Sequence, residues 1–437
     1  MIHKLQQHIA TQFPFLKGKK LLIAISGGLD SVVLTQLFHT LNFDTSLAHC
    51  NFNLRGLESD KDEAFVKKVG ATLHLKTFTT SFNTDEYANK NKTSTQVAAR
   101  ELRYAWFQEL VNKHQFDYVL TAHHADDNLE TFLINLSRGS GLEGFTGIPA
   151  INNTIIRPLL VFSRAEIEEF AKENSIEWRE DQSNATTKYV RNKIRHQIIP
   201  ILKEINPTLL NSFQKTTANL KGSQQIINNT IAEIKKKVIR NDQNGVTKFD
   251  VTEIHKLSNP KAYLFELLKS YNFTEWNDIE NLVSAQSGKQ VFSKSHRLLK
   301  DRDFLLLTKT PSPIGHSEIL ITKNTKEIVV PIHLSFENVS DIQQQDEKTI
   351  FLDTDTLTFP LKLRKWQEGD YFYPIGMQGK KKLSKFFKDQ KYSLVAKENT
   401  WLLCSENQIV WIVGKRQDRR FMADKNSLNI SKSYITH

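Results

Sequence analysis

The chain has 437 residues, 39% hydrophobic and 24% charged, with 59 Lys and Arg against 48 Asp and Glu for a net charge of +11. That length accommodates about three domains and the composition excludes a disordered chain, while the positive excess suits a polyanionic partner. Its two cysteines, Cys50 and Cys404, form no C-x-x-C pair, which excludes a disulfide scaffold and a disulfide partner and fits a reducing, cytoplasmic setting.

In chain order, "MIHKLQQHIATQF" contains no apolar h-region and no apolar run approaches ~18 residues, so we expect neither a signal peptide nor a membrane span. "LLIAI" (21–25) reads as a strand that ends in Ser26-Gly27-Gly28-Leu29-Asp30-Ser31, with a helix from about Asp30 to Leu41. "TSLAHC" (45–50) leads to a helix in "ESDKDEAFVKKVG". A strand at "TLHLKTF" (72–78) precedes a helix over "STQVAARELRYAWFQELVNKH", with Ser94 as its N-cap. "DYVLTAH" (117–123) runs into the helical "ADDNLETFLINLSR". Strands separated by helices of this length imply right-handed crossovers, hence an α/β domain with a doubly wound parallel sheet. Ligands of such sheets sit beyond the carboxyl ends of the strands, where both "SGGLDS" and "HHADDNLET" begin.

After "EDQSNATTKYVRNKIRHQIIPILKEINP" the pattern turns helical, through "LLNSFQKTTANLKGSQQIINNTIAEIKKKVI" (209–239) and "KAYLFELLKSY". Short strands return between about Val291 and Leu307, and "TKTPSPIGHSE" (308–318) reads as a linker. "LKLRKW", "WLLCS" and "QIVWIVG" then alternate as in a small α+β domain. We expect a nucleotide-binding catalytic domain over 1–210, a mainly helical middle domain over 211–310, and a linker with a basic C-terminal domain over 311–437.

A strand, a glycine turn and a helix start form a phosphate cradle, because free backbone N–H groups and the helix dipole favour anions. Ser26, Gly27, Gly28, Leu29 and Ser31 suit that role, but Asp30 repels a bare polyphosphate. A carboxylate there becomes useful once Mg²⁺ stands between it and the phosphates, which makes Asp30 the candidate metal ligand. The bland alternative, a simple turn, leaves the hydroxyls and the carboxylate unexplained. His123, His124, Asp126, Asp127 and Glu130 fall within eight residues, and helical spacing puts His123, Asp127 and Glu130 on one face. Zinc, Mg²⁺ and an ammonium group all fit this set; the bland reading has the aspartates only complementing a helix N-terminus.

Arg100, Arg103 and Trp106 share one helical stripe that reads equally as a solvated face. Lys188, Arg191, Lys193, Arg195 and Lys203 carry +5 with no acidic residue over 186–203, which suits a phosphate backbone or a solvated helix. Residues 361–395 hold nine basic side chains against three acidic ones, Lys380, Lys381, Lys382 and Lys385 among them, a net of +6. Seven aromatics, Trp366, Tyr371, Phe372, Tyr373, Phe386, Phe387 and Tyr392, are interleaved with that charge. Positive charge beside aromatics suits RNA, while a small core under solvated lysines is the alternative; both can hold together.

"SGGLDS" resembles the PP-loop of ATP pyrophosphatases. "LAHCNFNLRGLESDKDEAFV", "AARELRYAWF", "TAHHADDNLETFLINLSRGSGLEGFTGI", "RPLL" and "EDQSNATTKYVRNKIRHQIIP" follow in the order found in the tRNA(Ile)-lysidine synthetase family, and "LRKWQEGDYFYPIGMQGKKKLSKFFKD" resembles that family's C-terminal tRNA-binding domain. The resemblance implies that ATP adenylates the carbonyl oxygen at carbon 2 of the wobble cytidine of a tRNA(Ile) with a CAU anticodon, and that free L-lysine then displaces AMP. It places ATP on Ser26, Gly27, Gly28, Leu29, Asp30 and Ser31, with Mg²⁺ on Asp30. It further gives lysine to Arg103, Asp127 and Glu130 beside His123, and tRNA to Arg191, Arg195 and the Lys380–Lys385 cluster. A tRNA thiolase on the same scaffold is the runner-up, and the lack of paired cysteines speaks against it.

Overall fold

Along strand β1 (Leu21–Ala24) alternate side chains leave opposite faces, and both faces are apolar. Leu21 and Ile23 join one buried cluster, while Leu22 and Ala24 join another with Phe107, Leu110 and Val111. A strand apolar on both sides must be covered twice, and the surrounding sequence supplies both layers. The structure, a computed structural model, describes residues 1–180, 190–241, 246–310, 318–343 and 346–436. It divides into two compact units, Met1–Asn229 and Thr230–His437.

In the first unit α1 (Ile2–Gln12) precedes β1, and α2 (Leu29–Thr40), β2 (Thr45–Asn51), α3 (Leu57–Thr72), β3 (Thr77–Ser81), α4 (Thr84–Asn91) and α5 (Thr95–His114) follow. The chain then crosses to β4 (Tyr118–Leu120), α6 (Ala125–Ser137), α7 (Leu142–Phe145), β5 (Ile151–Asn152), β6 (Ile155–Ile156) and α8 (Arg164–Glu173). The strand order is β3-β2-β1-β4-β6-β5, parallel throughout except for β5 at the edge. Residues of α1, α2, α3 and α8 pack on one face (Leu5, Leu34, Val66 and Phe170) and those of α5 on the other. The order reverses between β1 and β4, so the loops leaving these two neighbours open the crevice where ligands of such sheets bind.

Ser94 caps α5 as expected, accepting from the Val97 N–H at 3.3 Å. The strand expected at 72–78 begins five residues later. Thr72 still belongs to α3, and the Leu75 N–H closes that helix on Gly70 O at 2.8 Å, so this stretch serves as a helix stop. Gly70 is required there, because a Cβ would lie 2.0 Å from Thr77 Oγ1.

Beyond α8, the helix α9 (Val190–Lys193) passes through a π-helical stretch, Ile194–Ile198, into α10 (Ile199–Ile205). Helix α11 (Leu209–Val238) spans the division between units. In the second unit, helices at Pro260–Leu268 and Trp276–Val283 accompany an antiparallel sheet of five strands. Its strand His296–Asp301 carries Arg297, whose guanidinium makes a two-pronged pair with Glu398 at 2.9 and 2.7 Å. Two further antiparallel sheets, of five and four strands, close around Leu334, Leu352, Leu363, Leu403 and the buried Trp411. Residues 311–317, within the expected linker, lie outside the described residues. Among the described residues no helix is long and apolar enough to cross a membrane.

Candidate active site

β1 stops at Ala24, and Gly27 turns the chain with φ +91°, a conformation that costs a β-carbon-bearing residue energy. Gly28 is the N-cap of α2, and no side chain caps that helix. The loop is braced from within. The Ser26 N–H donates to Ser31 Oγ at 3.1 Å, and the Ser31 hydroxyl donates to Gly28 O at 2.9 Å. It is braced from outside by the Arg179 N–H on Gly27 O at 3.0 Å, while the Arg179 side chain pairs with Glu58 at 2.7 Å and with Asp62 on α3. An uncapped helix start held open by its own loop is a ready anion site.

Asp30, in the first turn of α2, accepts from Arg164 Nη1 at 2.5 Å through Oδ2. Its Oδ1 is buried with no hydrogen-bond partner. Burial pushes this carboxyl above its usual range, opposed by His124 and Arg164. A buried carboxylate oxygen without a donor fits a cation, and Mg²⁺ takes one or two protein carboxylates together with substrate phosphates. Among the described residues no three His, Cys, Asp or Glu side chains are grouped to hold a metal by themselves.

The loop after β4 brings the second cluster beside the first. His124 is the N-cap of α6: its Nδ1 accepts from the Asp127 N–H at 3.4 Å, and Asp127 Oδ2 accepts from the His124 N–H at 3.1 Å. His123 therefore precedes the helix, and the expected helical face with Asp127 and Glu130 begins only at Ala125. His123 Nδ1 sits 3.0 Å from Thr121 Oγ1. Burial lowers its pKa to about 4 against the pull of Asp127, so the imidazole is neutral at pH 7. Asp126 is taken up by the Arg164 N–H at 2.8 Å and Lys203 Nζ at 2.7 Å. Burial pushes the Asp126 and Asp127 carboxyls up, but their donors and neighbouring histidines outweigh it and hold both below the usual carboxylate range.

Glu130 changes character in the structure. Its side chain is 1% exposed, and Arg195 grips it through Nε at 2.5 Å and Nη2 at 3.0 Å while also reaching Asp127 at 3.2 Å. Burial pushes the Glu130 carboxyl up and the Arg195 fork opposes that shift. Arg195 lies in the π-helical stretch, a backbone irregularity frequent at functional sites. Arg195, expected to face tRNA, places its guanidinium on two cleft carboxylates. Arg191 lies nearby, donating to Thr131 Oγ1 at 2.8 Å and standing 3.5 Å from Glu130. Arg103 is exposed with its guanidinium over the Phe52 ring at 5.2 Å, and no ion pair joins it to Asp127 or Glu130 among the described residues. Lys188 lies outside the described residues.

Arg164 and Lys203 escaped the sequence reading as partners in this site. The signal for Arg164 was available: Ser163 and Glu166 form a capping box, which starts a helix just after the β6 strand end.

The basic segment of the second unit sorts itself by burial. Phe372, Phe386 and Phe387 belong to a core under the helix Leu383–Asp389, and Arg364 is consumed by Asp370 at 2.8 and 2.9 Å. Lys380, Lys382 and Lys385 are exposed, with Lys380 Nζ 4.8 Å from the centre of the Tyr371 ring. Lys381 is half-buried and paired with Asp389 at 2.7 Å.

The uncapped glycine loop, its carboxylate and the neighbouring acidic helix define an ATP-using PP-loop domain, and a PP-loop domain family matches residues 1–202. A TilS substrate binding domain matches 242–310, and a TilS substrate C-terminal domain matches 361–433. The tRNA(Ile)-lysidine synthase of Parabacteroides distasonis is 38% identical over 436 residues, covering 98% of each chain. That of Bacteroides thetaiotaomicron is 37% identical over 431 residues and covers 97% of each, and that of Bacillus subtilis is 29% identical over 454 residues. The chain belongs to the tRNA(Ile)-lysidine synthase family.

Proposed function

We propose that this chain ligates free L-lysine to carbon 2 of the wobble cytidine of tRNA(Ile) with a CAU anticodon, at the expense of ATP and in the cytoplasm. The observation that carries the reading is the adjacency, across the β1/β4 switch point, of an uncapped phosphate loop and a helix preceded by two histidines and opening with two aspartates. In the first step the cytidine O2 attacks the α-phosphorus, an O–P bond forms, and the bond to the β,γ-diphosphate breaks. In the second the ε-amine of lysine forms a C–N bond at carbon 2, the C–O bond breaks and AMP leaves.

Ser26, Gly27, Gly28, Leu29 and Ser31 hold the phosphates through backbone and hydroxyl groups. Asp30 is the residue that holds Mg²⁺, which when bound offsets the charge of the leaving diphosphate. Lysine presents one carboxylate and two amines. Arg103 suits the carboxylate through its planar fork. Asp127 is the acceptor for the ε-ammonium proton, because its side chain keeps 14% exposure where Glu130 keeps 1%. Glu130 acts through Arg195, fixing the guanidinium that orients Asp127. His123, neutral and beside them, adds a second acceptor. The catalytic domain is the N-terminal one, and Arg191 with the exposed lysines at 380–385 meets the tRNA backbone.

Single-omission assays test this reading. Diphosphate release is expected only when ATP, Mg²⁺ and tRNA are all present, and AMP release with modified tRNA only when lysine is added as well. Lysine-independent, multiple-turnover AMP release would contradict it.

A further inference from the structure

Helix N-termini carry partial positive charge, so cations there are disfavoured and acids welcomed. Helix α8 obeys this with Glu166 in its capping box, yet places Arg164 at its first position. The residue bridges two functional elements. Its backbone N–H donates to Asp126 at 2.8 Å, and its Nη1 reaches across to Asp30 Oδ2 at 2.5 Å. The other cations of this cluster are committed to other carboxylates, Arg195 to Glu130 and Asp127 and Lys203 to Asp126. Arg164 alone of the three holds the carboxylate assigned above to Mg²⁺. It holds one oxygen only, since Asp30 Oδ1 stays buried and unpartnered. The Arg164 side chain is 43% exposed, so packing does not fix its fork, and Asp30 keeps 23% exposure of its own.

A guanidinium and a divalent cation compete for one carboxylate. When nucleotide enters beside the uncapped start of α2, the triphosphate brings a larger negative charge than Asp30 within reach of the same fork, and Arg–phosphate pairing is bidentate and charge-assisted. We propose that Arg164 is a phosphate-binding residue that exchanges partners: it holds Asp30 while the cleft is free of nucleotide, releases it to Mg²⁺, and pairs with the β,γ-diphosphate of bound ATP. No covalent bond of the arginine changes. As the α-phosphorus bond breaks, the charge that grows on the diphosphate falls on a guanidinium already in place.

This inference rests on the proposed use of ATP, and equilibrium binding separates the two. ATP binding without tRNA is measured calorimetrically across a Mg²⁺ series for the wild-type chain, Arg164→Gln and Arg164→Lys, with thermal melts to establish folding. Arg164→Gln should need several-fold less Mg²⁺ for half-maximal ATP binding, because the competitor for Asp30 is gone. At saturating Mg²⁺ its ATP affinity should fall about tenfold or more, the loss of one charge-assisted contact. Arg164→Lys, which keeps the charge without the fork, should lose less affinity. A folded Arg164→Gln chain with wild-type ATP affinity, or with an unchanged or raised Mg²⁺ midpoint, overturns the exchange. A wild-type chain that binds no ATP at any Mg²⁺ concentration defeats the proposed function instead.

Discussion

The cleft of the first unit and the basic segment of the second carry charge in opposite ways. In the cleft Asp126, Asp127 and Glu130 are buried or nearly so, and Arg195 and Lys203 neutralise them within 2.5–3.2 Å. In the basic segment Lys380, Lys382 and Lys385 stand in solvent above a core of phenylalanines. Buried pairs feel a low dielectric and little salt, so removing one partner strands the other; exposed charges are screened within about 8–10 Å and act additively. The first arrangement is built for geometry and the second for attraction.

The contrast breaks most sharply at Asp30. Asp30→Asn should lower AMP formation by about 10²–10³-fold, the scale seen when one charge-stabilising group is lost. Its melting temperature should stay close to wild type, because loss of the partly exposed pair with Arg164 is offset by no longer burying an unpartnered carboxylate oxygen. Turnover assays and thermal melts on the same preparation check both halves.

Arg195 should show the reverse balance. Arg195→Gln leaves Glu130 buried without its fork, and breaking a buried pair costs about 3 kcal/mol. The shift in denaturant midpoint should persist at high salt. A variant that only weakens tRNA binding and unfolds like wild type would return Arg195 to the tRNA-facing role.

Replacing Lys380, Lys382 and Lys385 together with glutamine should leave the melt unchanged. The slope of log affinity for tRNA against log salt should flatten by about 2–3, since each lost phosphate contact releases about 0.7–0.9 fewer counterions. Filter binding across a salt series measures it, and an unchanged slope would make these lysines a solvated surface.

A further effect belongs to pH. His123 has a folded pKa of about 4 against an ordinary 6.5, so the unfolded chain binds more protons between these values. Its contribution to stability is complete above pH 6.5 and is lost as pH falls towards about 4. His123→Gln should flatten the decline in melting temperature over that window relative to wild type.

Much of this was legible in the sequence because it is local. A β-branched run followed by two glycines and a serine, or an N-cap serine before "TQVAARELRY", depends on neighbours a few residues away. The phosphate loop and the acidic helix were therefore both placed at strand ends, where the structure puts them. What escaped depends on contacts between distant segments. Arg195 meets Glu130 across 65 positions, and Arg164 meets Asp30 across 134. No periodicity announces such pairs, so Arg195 read as one more charge in a basic helix. His123 was misassigned to the helix because capping is taken by its neighbour: His124 supplies the acceptor that starts α6 one residue later.

The central claim is that one cleft joins lysine to a cytidine through ATP. Mass analysis of nucleosides from a CAU-anticodon tRNA(Ile) transcript, treated with the chain, ATP, Mg²⁺ and isotopically labelled lysine, tests it most directly. The account predicts one labelled lysine on the wobble cytidine, one AMP released per lysine incorporated, and at least about a hundredfold less product with the Asp30→Asn chain in the same time. An unmodified cytidine alongside released AMP, or a sulfur-bearing base in its place, would contradict it.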